Sequence, residues 1–230
     1  MKIEILHLVE GAKKAKGLAV VIDVFRAFSL ACYIMDKGAE TIIPVGKIDV
    51  AYHLKEKNPE YLLVGERNEK IMPGFDFGNS PYQVKDTVLK DKTVVHTTSA
   101  GTQGLVNTTN AEETITGSFV NADAIIRYIQ MKNPEHVSLV CMGYAANHPT
   151  EEDTFCAEYI KAGLRGEKVN YEEMVNVMRQ TSGERFFIPE KQTHAPSEDF
   201  YLCTKKGIFD FVLIAEKRDN GHIHLTKKKT

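Results

Sequence analysis

Apolar and polar residues alternate along the chain in blocks that match strands and helices in turn. The first clear block, LAVVIDV (18–24), is a continuous apolar run rich in β-branched residues. Such a run is typical of a strand that is buried on both faces. The next block, RAFSLACYIMDKG (26–38), has apolar residues at helical spacing and a glycine where a helix would end. This pattern predicts a helix directly after the strand.

The same strand-then-helix arrangement recurs over most of the chain. Further strands are predicted at 41–45, 61–66, 93–98, 114–118 and 137–143, and a last strand at 209–217. Further helices are predicted at 47–59, 101–109, 121–132 and 150–164. This alternation is typical of parallel strands covered by helices on both faces. We expect a three-layer α/β/α fold with a mainly parallel or mixed sheet, in one domain over 1–230, with an insertion or subdomain at about 168–197.

Composition and charge narrow the class of protein. Hydrophobic residues make up 43% of the chain, charged residues make up 26%, and the formal net charge is −2. The chain can therefore form a core, and it lacks the basic field that nucleic-acid binding requires. No apolar run is as long as a membrane span, and Glu4 interrupts the region where a signal peptide is apolar. We expect a cytoplasmic protein with a small-molecule partner, no nucleic-acid or membrane partner, and a homodimer as the commonest assembly.

The cysteines and histidines show no pattern of a disulfide or a zinc site. The cysteines lie singly in apolar surroundings without C-x-x-C spacing, at Cys32, Cys141, Cys156 and Cys203. We expect them to be reduced thiols in the core. The only close histidine pair, His222-x-His224, lies in a polar, lysine-rich tail that we expect to be solvated.

Polar residues collect where the predicted strands end, which is where open α/β sheets bind ligands. They are Asp23 and Arg26, then Glu66 and Arg67, then Thr97, Thr98 and Ser99, and, after Gly143, Glu151, Glu152 and Asp153. The loop MPGFDFGNSP (72–81) adds Asp76, Asn79 and Ser80. Asp23 is the residue most in need of a partner, because an ionisable group at the end of a buried strand requires a countercharge. Arg26 or a metal ion would supply it.

The stretch VVHTTSAGTQGL (94–105) puts hydroxyls and a glycine between a predicted strand and a predicted helix. A helix start offers free amides and a partial positive charge, so this bend suits a phosphate or another oxyanion. An ordinary N-cap has the same pattern. Asp153 could likewise form a capping pair with Thr150, and Asn79-Ser80-Pro81 could cap a helix that begins with proline.

Seven short motifs follow one another from about residue 18 to 165. They are DVFRAFS (23–29), GA-x-x-I-I-P-V (38–45), LVGER (63–67), GFDFGNSP (74–81), TTSAGT (97–102), GSFVNA (117–122) and EED-x-x-C-A (151–157). In these motifs the chain resembles the 2-phosphosulfolactate phosphatases of the coenzyme M pathway, the ComB-like proteins. It departs from them at Ser99-Ala100, where T-T-N-G-T is usual, at Glu151, where leucine is usual, and at Glu69, where glycine is common.

The resemblance implies a magnesium-dependent phosphatase that acts on a small phosphorylated hydroxy acid bearing a sulfonate. Magnesium prefers hard oxygen ligands, and the metal ligands expected are Asp23, Asp76, Glu152 and Asp153. The catalytic residues expected are Asp23, Arg26 and Asp153. The substrate-binding residues expected are Arg67, Asn79, Ser80, Thr97, Thr98, Ser99, Gly101 and Thr102. Arg26 and Arg67 could each bind one oxyanion of the substrate bidentately.

Two mechanisms and two other kinds of function remain open at this stage. A metal-bound water could attack phosphorus, or Asp23 could attack directly and form an aspartyl-phosphate; we favour the water. A non-catalytic module that binds small anions would need the hydroxyls and arginines without the carboxylates. A sugar-phosphate isomerase would need a base near a carbonyl and no metal. The acidic residues at the strand ends favour the phosphatase over both.

Overall fold

A ten-stranded mixed sheet forms the centre of the computed structural model, which describes residues 1–230. Its strands are β1 (Lys2–His7), β2 (Leu18–Ile22), β3 (Thr41–Pro44), β4 (Leu62–Arg67), β5 (Lys70–Ile71), β6 (Thr93–Thr97), β7 (Glu113–Gly117), β8 (His136–Cys141), β9 (Phe211–Lys217) and β10 (Ile223–Lys229). Their order across the sheet is β1-β8-β2-β7-β9-β10-β3-β6-β4-β5. Two groups of parallel strands, β1-β8-β2-β7 and β3-β6-β4, are joined by the antiparallel hairpin of β9 and β10.

Helices cover both faces of this sheet. They are α1 (Leu8–Lys14), α2 (Ala27–Asp36), α3 (Ile48–Lys57), α4 (Pro81–Val84), α5 (Gly101–Asn107), α6 (Ala122–Lys132), α7 (Glu151–Arg165), α8 (Tyr171–Gln180) and α9 (Ser197–Cys203), with 3-10 turns at Phe119–Asn121, Glu184–Phe187 and Pro189–Lys191. Alternate residues of a strand point to opposite faces. Val21 accordingly packs with α1, α2 and α5, whereas Val20 packs with α6 and α7, and α3 covers Val95 on that second face. The predicted three-layer α/β/α fold with a mixed sheet is confirmed.

The elements predicted between residues 18 and 164 are all present, with bounds that differ by no more than two residues. The prediction that 209–217 is the last strand is wrong, because β10 follows it. The tail is therefore not solvated throughout: His224 is 5% exposed, and its Nδ1 lies 3.3 Å from the hydroxyl of Thr41. Leu225 pairs with Ile42, which places the first half of β10 in the middle of the sheet. Only the lysine-rich end of the strand extends to solvent, and those lysines obscured the strand pattern.

The segment predicted as an insertion or subdomain packs on the rest of the chain. α8 and the 3-10 turn at Glu184–Phe187 lie against α7 and α9. The ring of Phe186 is fully buried and belongs to the same core as β2 and β8. Whether this segment counts as a separate unit stays a prediction.

The two parallel groups run in opposite directions in the sheet, yet their carboxyl ends meet. Neighbouring strands twist by about 20–25°, so the five steps from β2 to β6 accumulate roughly 100–125°. That rotation turns the end of β6 towards the end of β2. Gly101, which begins α5 after β6, consequently packs against Asp23, which follows β2. Polar residues from both groups are thus brought to one place.

No helix of the structure has both the length and the hydrophobicity needed to cross a membrane. The four cysteines are free and buried, as predicted for core thiols. The cytoplasmic location, the homodimer and the absence of a nucleic-acid partner stay predictions.

The place of β10 in the sheet makes the stability of the protein depend on the C-terminal residues. Leu225→Ala removes a fully buried side chain that faces α2 in the core. We expect the free energy of unfolding to fall by about 2–5 kcal/mol, measured by urea denaturation. Lys229→Ala, on the exposed end of the same strand, is the control and should change it by less than about 0.5 kcal/mol. Equal, small effects of the two substitutions would contradict the placement of β10.

Candidate functional site

A small cleft of about 90 Å³ opens where the segments that follow β2, β4, β6 and β8 meet. Carboxylate, amide, hydroxyl and guanidinium groups dominate its lining, which consists of Asp23, Phe25, Arg26, Glu66, Asn68, Glu69, Asn79, Thr98, Ser99, Ala100, Gly143, Tyr144, Ala145, Glu152 and Arg185. The residues of this lining that the sequence predicted for the site are Asp23, Arg26, Asn79, Thr98, Ser99 and Glu152.

A larger cavity of about 790 Å³ lies between the end of β3, α5 and the β9–β10 hairpin. None of the residues predicted for the site lines it. Buried ionisable groups with shifted pKa values are a better indication of a functional site than size. The smaller cleft is therefore the candidate site.

Asp23 lies directly after β2 and is 6% exposed. Its Oδ1 accepts the amide of Ala27 at 3.2 Å, in the first turn of α2. Burial and the charges of Glu152 and Glu66 raise its pKa to about 7, although the amides of Ala27 and Gly101 favour the charged form. No cationic side chain forms a salt bridge with Asp23, so the expected pairing with Arg26 is absent. Asp23 is therefore a buried carboxyl group without a charged partner of opposite sign.

Glu152, in the first turn of α7, is the second buried carboxyl group of the cleft and is 3% exposed. Burial raises its pKa, against the effect of the nearby Arg185 guanidinium. Its Oε2 is buried without a well-aligned hydrogen bond, although the hydroxyls of Ser182 and Thr150 lie close enough to favour the charged form, and Oδ1 of Asn79 is buried without a partner. Buried polar atoms in folded proteins nearly always have partners. These oxygens therefore mark a place where a ligand is expected.

Asp153 follows Glu152 but does not line the cleft. Its Oδ1 accepts the amide of Val24 and its Oδ2 accepts the amide of Gly143, each at 2.8 Å. Burial and the charges of Glu152 and Asp23 raise its pKa. Both oxygens are used to connect the ends of β2 and β8, so the geometry does not support Asp153 as a metal ligand. The alternative capping pair with Thr150 is also absent.

The hydroxyl-rich segment after β6 binds carboxylates of the protein itself. Ser99 donates both its amide and its hydroxyl to Oε1 of Glu66, each at 2.9 Å. The amide of Gly101 donates to Asp23 and favours its charged form. The amide of Thr102 donates to Oγ1 of Thr98 at 3.3 Å. The amides that were expected to bind a substrate oxyanion are therefore already engaged.

Gly101 is required by close approach and not by an unusual backbone conformation. An ideal Cβ at this position would lie 2.8 Å from Oδ2 of Asp23 and 2.9 Å from Cβ of Ala27. Only a glycine lets the start of α5 come this near to the carboxylate. Gly101 thus positions Asp23 and does not itself line the cleft.

Arg26 lines the cleft and forms a buried ion pair that the sequence did not reveal. Its Nη1 donates to Oδ2 of Asp199 at 2.8 Å and to the carbonyl of His194 at 2.7 Å. Oδ1 of Asp199 accepts the hydroxyl of Ser80 and the amide of Tyr82. Ser80 therefore lies beside the site and supports its wall, because it is bonded to Asp199 and does not line the cleft.

Arg67, Thr97 and Asp76 lie outside the cleft. Arg67 donates to Thr97 Oγ1 at 2.7 Å and to the carbonyls of Glu66 and Gly46. Burial lowers the pKa of Arg67. Asp76 is exposed, and its Oδ2 accepts the amide of Leu63. The position of Arg67 therefore does not support the prediction that it binds an oxyanion of the substrate. The position of Asp76 likewise does not support the prediction that it is a metal ligand.

Glu66, Glu69 and Arg185 are the charged residues of the cleft that the sequence analysis did not assign to the site. Glu66 was visible at the end of the strand 61–66, but nothing distinguished it from a solvated acid. Arg185 comes from the segment 168–197 and has no local motif around it. Only the folded chain brings Arg185 near Glu152, through the packing of Phe186 in the core.

The oxygen atoms of the cleft fit a magnesium ion held by few protein ligands. No group of three or more His, Cys, Asp or Glu side chains lies close enough together to hold a metal ion alone. Magnesium keeps several of its waters and is usually bound through one or two carboxylates. Asp23 and Glu152, with Oδ1 of Asn79, provide hard oxygen donors, two buried carboxyl groups and unpartnered atoms. The donor set therefore suits Mg²⁺ or Mn²⁺ and offers no sulfur or nitrogen ligand.

Comparison with other proteins places these features in a family. A sequence model described as 2-phosphosulpholactate phosphatase matches residues 4–218. A protein from Bacillus subtilis is 32% identical over 84% of this chain and 85% of its own. One from Clostridium perfringens is 30% identical over 92% of each chain, and one from Thermotoga maritima is 37% identical over 84% of this chain and 87% of its own.

All three of these relatives carry the name "Probable 2-phosphosulfolactate phosphatase". The resemblance inferred from the motifs is confirmed by these matches, which extend over most of the chain. The chain belongs to the 2-phosphosulpholactate phosphatase family, a family of phosphoric monoester hydrolases.

Proposed function

We propose that this protein is a magnesium-dependent phosphatase that hydrolyses the phosphate ester of a small sulfonated or carboxylated hydroxy acid. The observation that carries the proposal is the pair of buried carboxyl groups, Asp23 and Glu152, with raised pKa values and unpartnered oxygen atoms beside them. Such a pair is costly unless a cation binds to it. Both groups line the same cleft at the ends of the strands.

The names of the relatives support 2-phosphosulfolactate as the substrate. Hydrolysis would give sulfolactate and phosphate, a reaction of coenzyme M biosynthesis. The ligand set that we propose for Mg²⁺ is Asp23, Glu152 and Oδ1 of Asn79. Bound there, the ion would neutralise phosphate charge and lower the pKa of a water molecule.

The side chains of the cleft have separable roles in this reaction. Asp23 would hold the Mg²⁺ ion beside the phosphate, and a neighbouring carboxylate of the cleft would accept the proton of the attacking water. Direct attack by Asp23 on phosphorus is the alternative: it would break the ester P–O bond, release the hydroxy acid and leave an aspartyl-phosphate, which water would then hydrolyse to free phosphate. Asp153 would act as a positioning residue, since it fixes the backbone on both sides of the cleft.

Membership of a hydrolase family argues against a sugar-phosphate isomerase and against a non-catalytic anion-binding module. The buried carboxyl groups also fit neither. An isomerase or an anion sensor would gain nothing from placing Asp23 and Glu152 where they repel an anionic ligand. A metal ion bound to the two carboxylates would instead attract an anionic ligand.

Phosphatase activity should depend on a divalent metal. We expect phosphate release from 2-phosphosulfolactate to stop in excess EDTA and to return with Mg²⁺ or Mn²⁺, because both accept oxygen ligands. Release of inorganic phosphate is the measurement, with elemental analysis of the chelated protein as its control. Full turnover by protein that is shown to contain no metal would contradict the proposal.

The metal ligands can be separated from the other acidic residues by mutation. Glu152→Gln should weaken Mg²⁺ binding by about tenfold or more, because it removes a charged ligand. Asp76→Asn should leave the affinity for Mg²⁺ unchanged, since Asp76 is exposed and lies outside the cleft. Calorimetric titration of both variants with MgCl₂ checks this. A weakened affinity in both variants would return Asp76 to the ligand set, and a weakened affinity in Asp76→Asn alone would also exclude Glu152 from it.

Asp23→Asn should abolish turnover and at the same time stabilise the metal-free protein. A loss of about 10³ or more in kcat is expected for a metal ligand or base. A carboxyl group whose pKa is raised on folding stabilises the folded protein at pH values below the pKa of the unfolded chain, near 4. This stabilisation is lost as the pH rises through the folded pKa of about 7. The wild-type protein in EDTA should therefore lose thermal stability between pH 5 and pH 8, and the variant should lose less.

Thermal midpoints at both pH values measure this effect. Asp36→Asn, at the exposed end of α2, is the matched control and should behave as the wild type does. An Asp23→Asn variant with near-normal kcat would reduce Asp23 to a structural residue.

A further inference from the structure

Arg185 is one of two cationic residues that line the cleft, and it is the one not committed to a buried ion pair. The other, Arg26, is bonded to Asp199. Four acidic residues line the same cleft: Asp23, Glu66, Glu69 and Glu152. An anionic substrate therefore meets a surface with more negative than positive groups. Besides a metal ion, Arg185 is the group best placed to attract it.

The guanidinium of Arg185 is held in position by contacts that leave part of it available. Its Nη2 donates to the carbonyl of Phe25 at 2.9 Å. Its central carbon lies 5.3 Å from the ring centre of Tyr144 and 5.1 Å from that of Phe186. Such contacts orient a guanidinium without using all of its donors. The side chain is 16% exposed, so it remains open to the cleft.

The countercharge of Arg185 is Glu69, and the contact between them is loose. Nη1 of Arg185 lies 3.4 Å from Oε1 of Glu69, and that oxygen accepts no hydrogen bond. The other oxygen, Oε2, lies 3.4 Å from Nζ of Lys191. A bidentate pair between a guanidinium and an oxyanion has distances of about 2.7–2.9 Å. A substrate oxyanion can therefore form a better pair with Arg185 than Glu69 does.

Glu69 occupies a backbone position that side chains disfavour. Asn68 has φ of 52° and Glu69 has φ of 66°, and Arg67 pairs with Lys70 across them. Two consecutive left-handed residues between paired strands form a type I′ turn, in which glycine is favoured at the second position. The turn holds the carboxylate of Glu69 at the mouth of the cleft, beside Arg185 and Lys191.

We propose that Arg185 binds an oxyanion group of the substrate and that Glu69 is the resident countercharge which this group displaces. The inference rests on the proposed function in that the ligand is a phosphorylated acid. Glu69 keeps Lys191 as a partner after the exchange, so the displaced carboxylate is not left without a cation. A ligand without a strong anionic group cannot displace Glu69. The pair thus selects for anionic ligands.

The test measures anion binding by calorimetry, with inorganic phosphate as the probe and Mg²⁺ present. Arg185→Gln should weaken phosphate binding by about tenfold or more, because a charged donor pair is lost. Glu69→Gln keeps the size of the side chain but removes the competing charge, and it should strengthen binding by about threefold. Arg179→Gln removes an arginine that stacks on Phe187 away from the cleft. It is the matched control and should bind phosphate as the wild type does.

A gain of affinity in Glu69→Gln cannot result from misfolding, so it keeps the test valid even if Arg185→Gln loses stability. KM values then identify the group that Arg185 binds. A rise for phosphoglycolate but not for ethyl phosphate in Arg185→Gln assigns Arg185 to the second acidic group. An equal rise for both assigns it to the phosphate.

Unchanged phosphate affinity and unchanged KM in both Arg185→Gln and Glu69→Gln would overturn the inference while leaving the phosphatase proposal intact. Failure of the wild-type protein to release phosphate from 2-phosphosulfolactate as well as from these esters would instead contradict the proposed function, whatever the binding data show. The two failures are therefore distinguishable.

Discussion

Three carboxyl groups, those of Asp23, Glu152 and Asp153, are buried together at the meeting point of four strand ends, and the arrangement of the site follows from this. Burial raises the pKa values of all three, and the charges of neighbouring carboxylates raise those of Asp23 and Asp153 further. Asp153 is stabilised by two backbone amides, which also fix the loops after β2 and β8. Asp23 and Glu152 lack a cationic side chain bonded to them. In the function that we propose, a bound cation offsets the cost of burying these two groups.

The segment after β6 shows how one sequence pattern serves a different purpose from the one it suggests. Its hydroxyls and amides do bind anions, but the anions are Glu66 and Asp23 of the same chain. Gly101 belongs to this arrangement because a side chain there would collide with Asp23. The amides of a helix start can stabilise a carboxylate as well as a phosphate. The segment therefore holds these acidic residues of the cleft in place.

The β9–β10 hairpin gives the sheet its unusual order and so makes the site. It joins two groups of parallel strands that run in opposite directions, and the twist of the sheet brings their carboxyl ends together. Without that twist, Asp23 and Ser99 would lie at opposite edges of the sheet. The segment that follows α7 then closes the cleft, since it brings Arg185 beside Glu152.

Local periodicity predicted the strands and helices from 18 to 164 except the short β5 and α4, and with them the α/β class, because each depends on residues close together in the chain. Periodicity did not predict the strand β10, because its C-terminal half consists of lysines. Its place in the sheet depends on pairing with β9 and with β3, which is distant from it in the chain. The residue types of the site were also readable, with Asp23, Asn79 and Glu152 correctly placed in one cleft. Which charged side chains face that cleft was decided by the tertiary structure. Asp153 accepts two backbone amides, Asp76 accepts the amide of Leu63, and Arg67 donates to Thr97, so none of the three lines the cleft. Side-chain direction depends on partners distant in the chain, and no local pattern contains them.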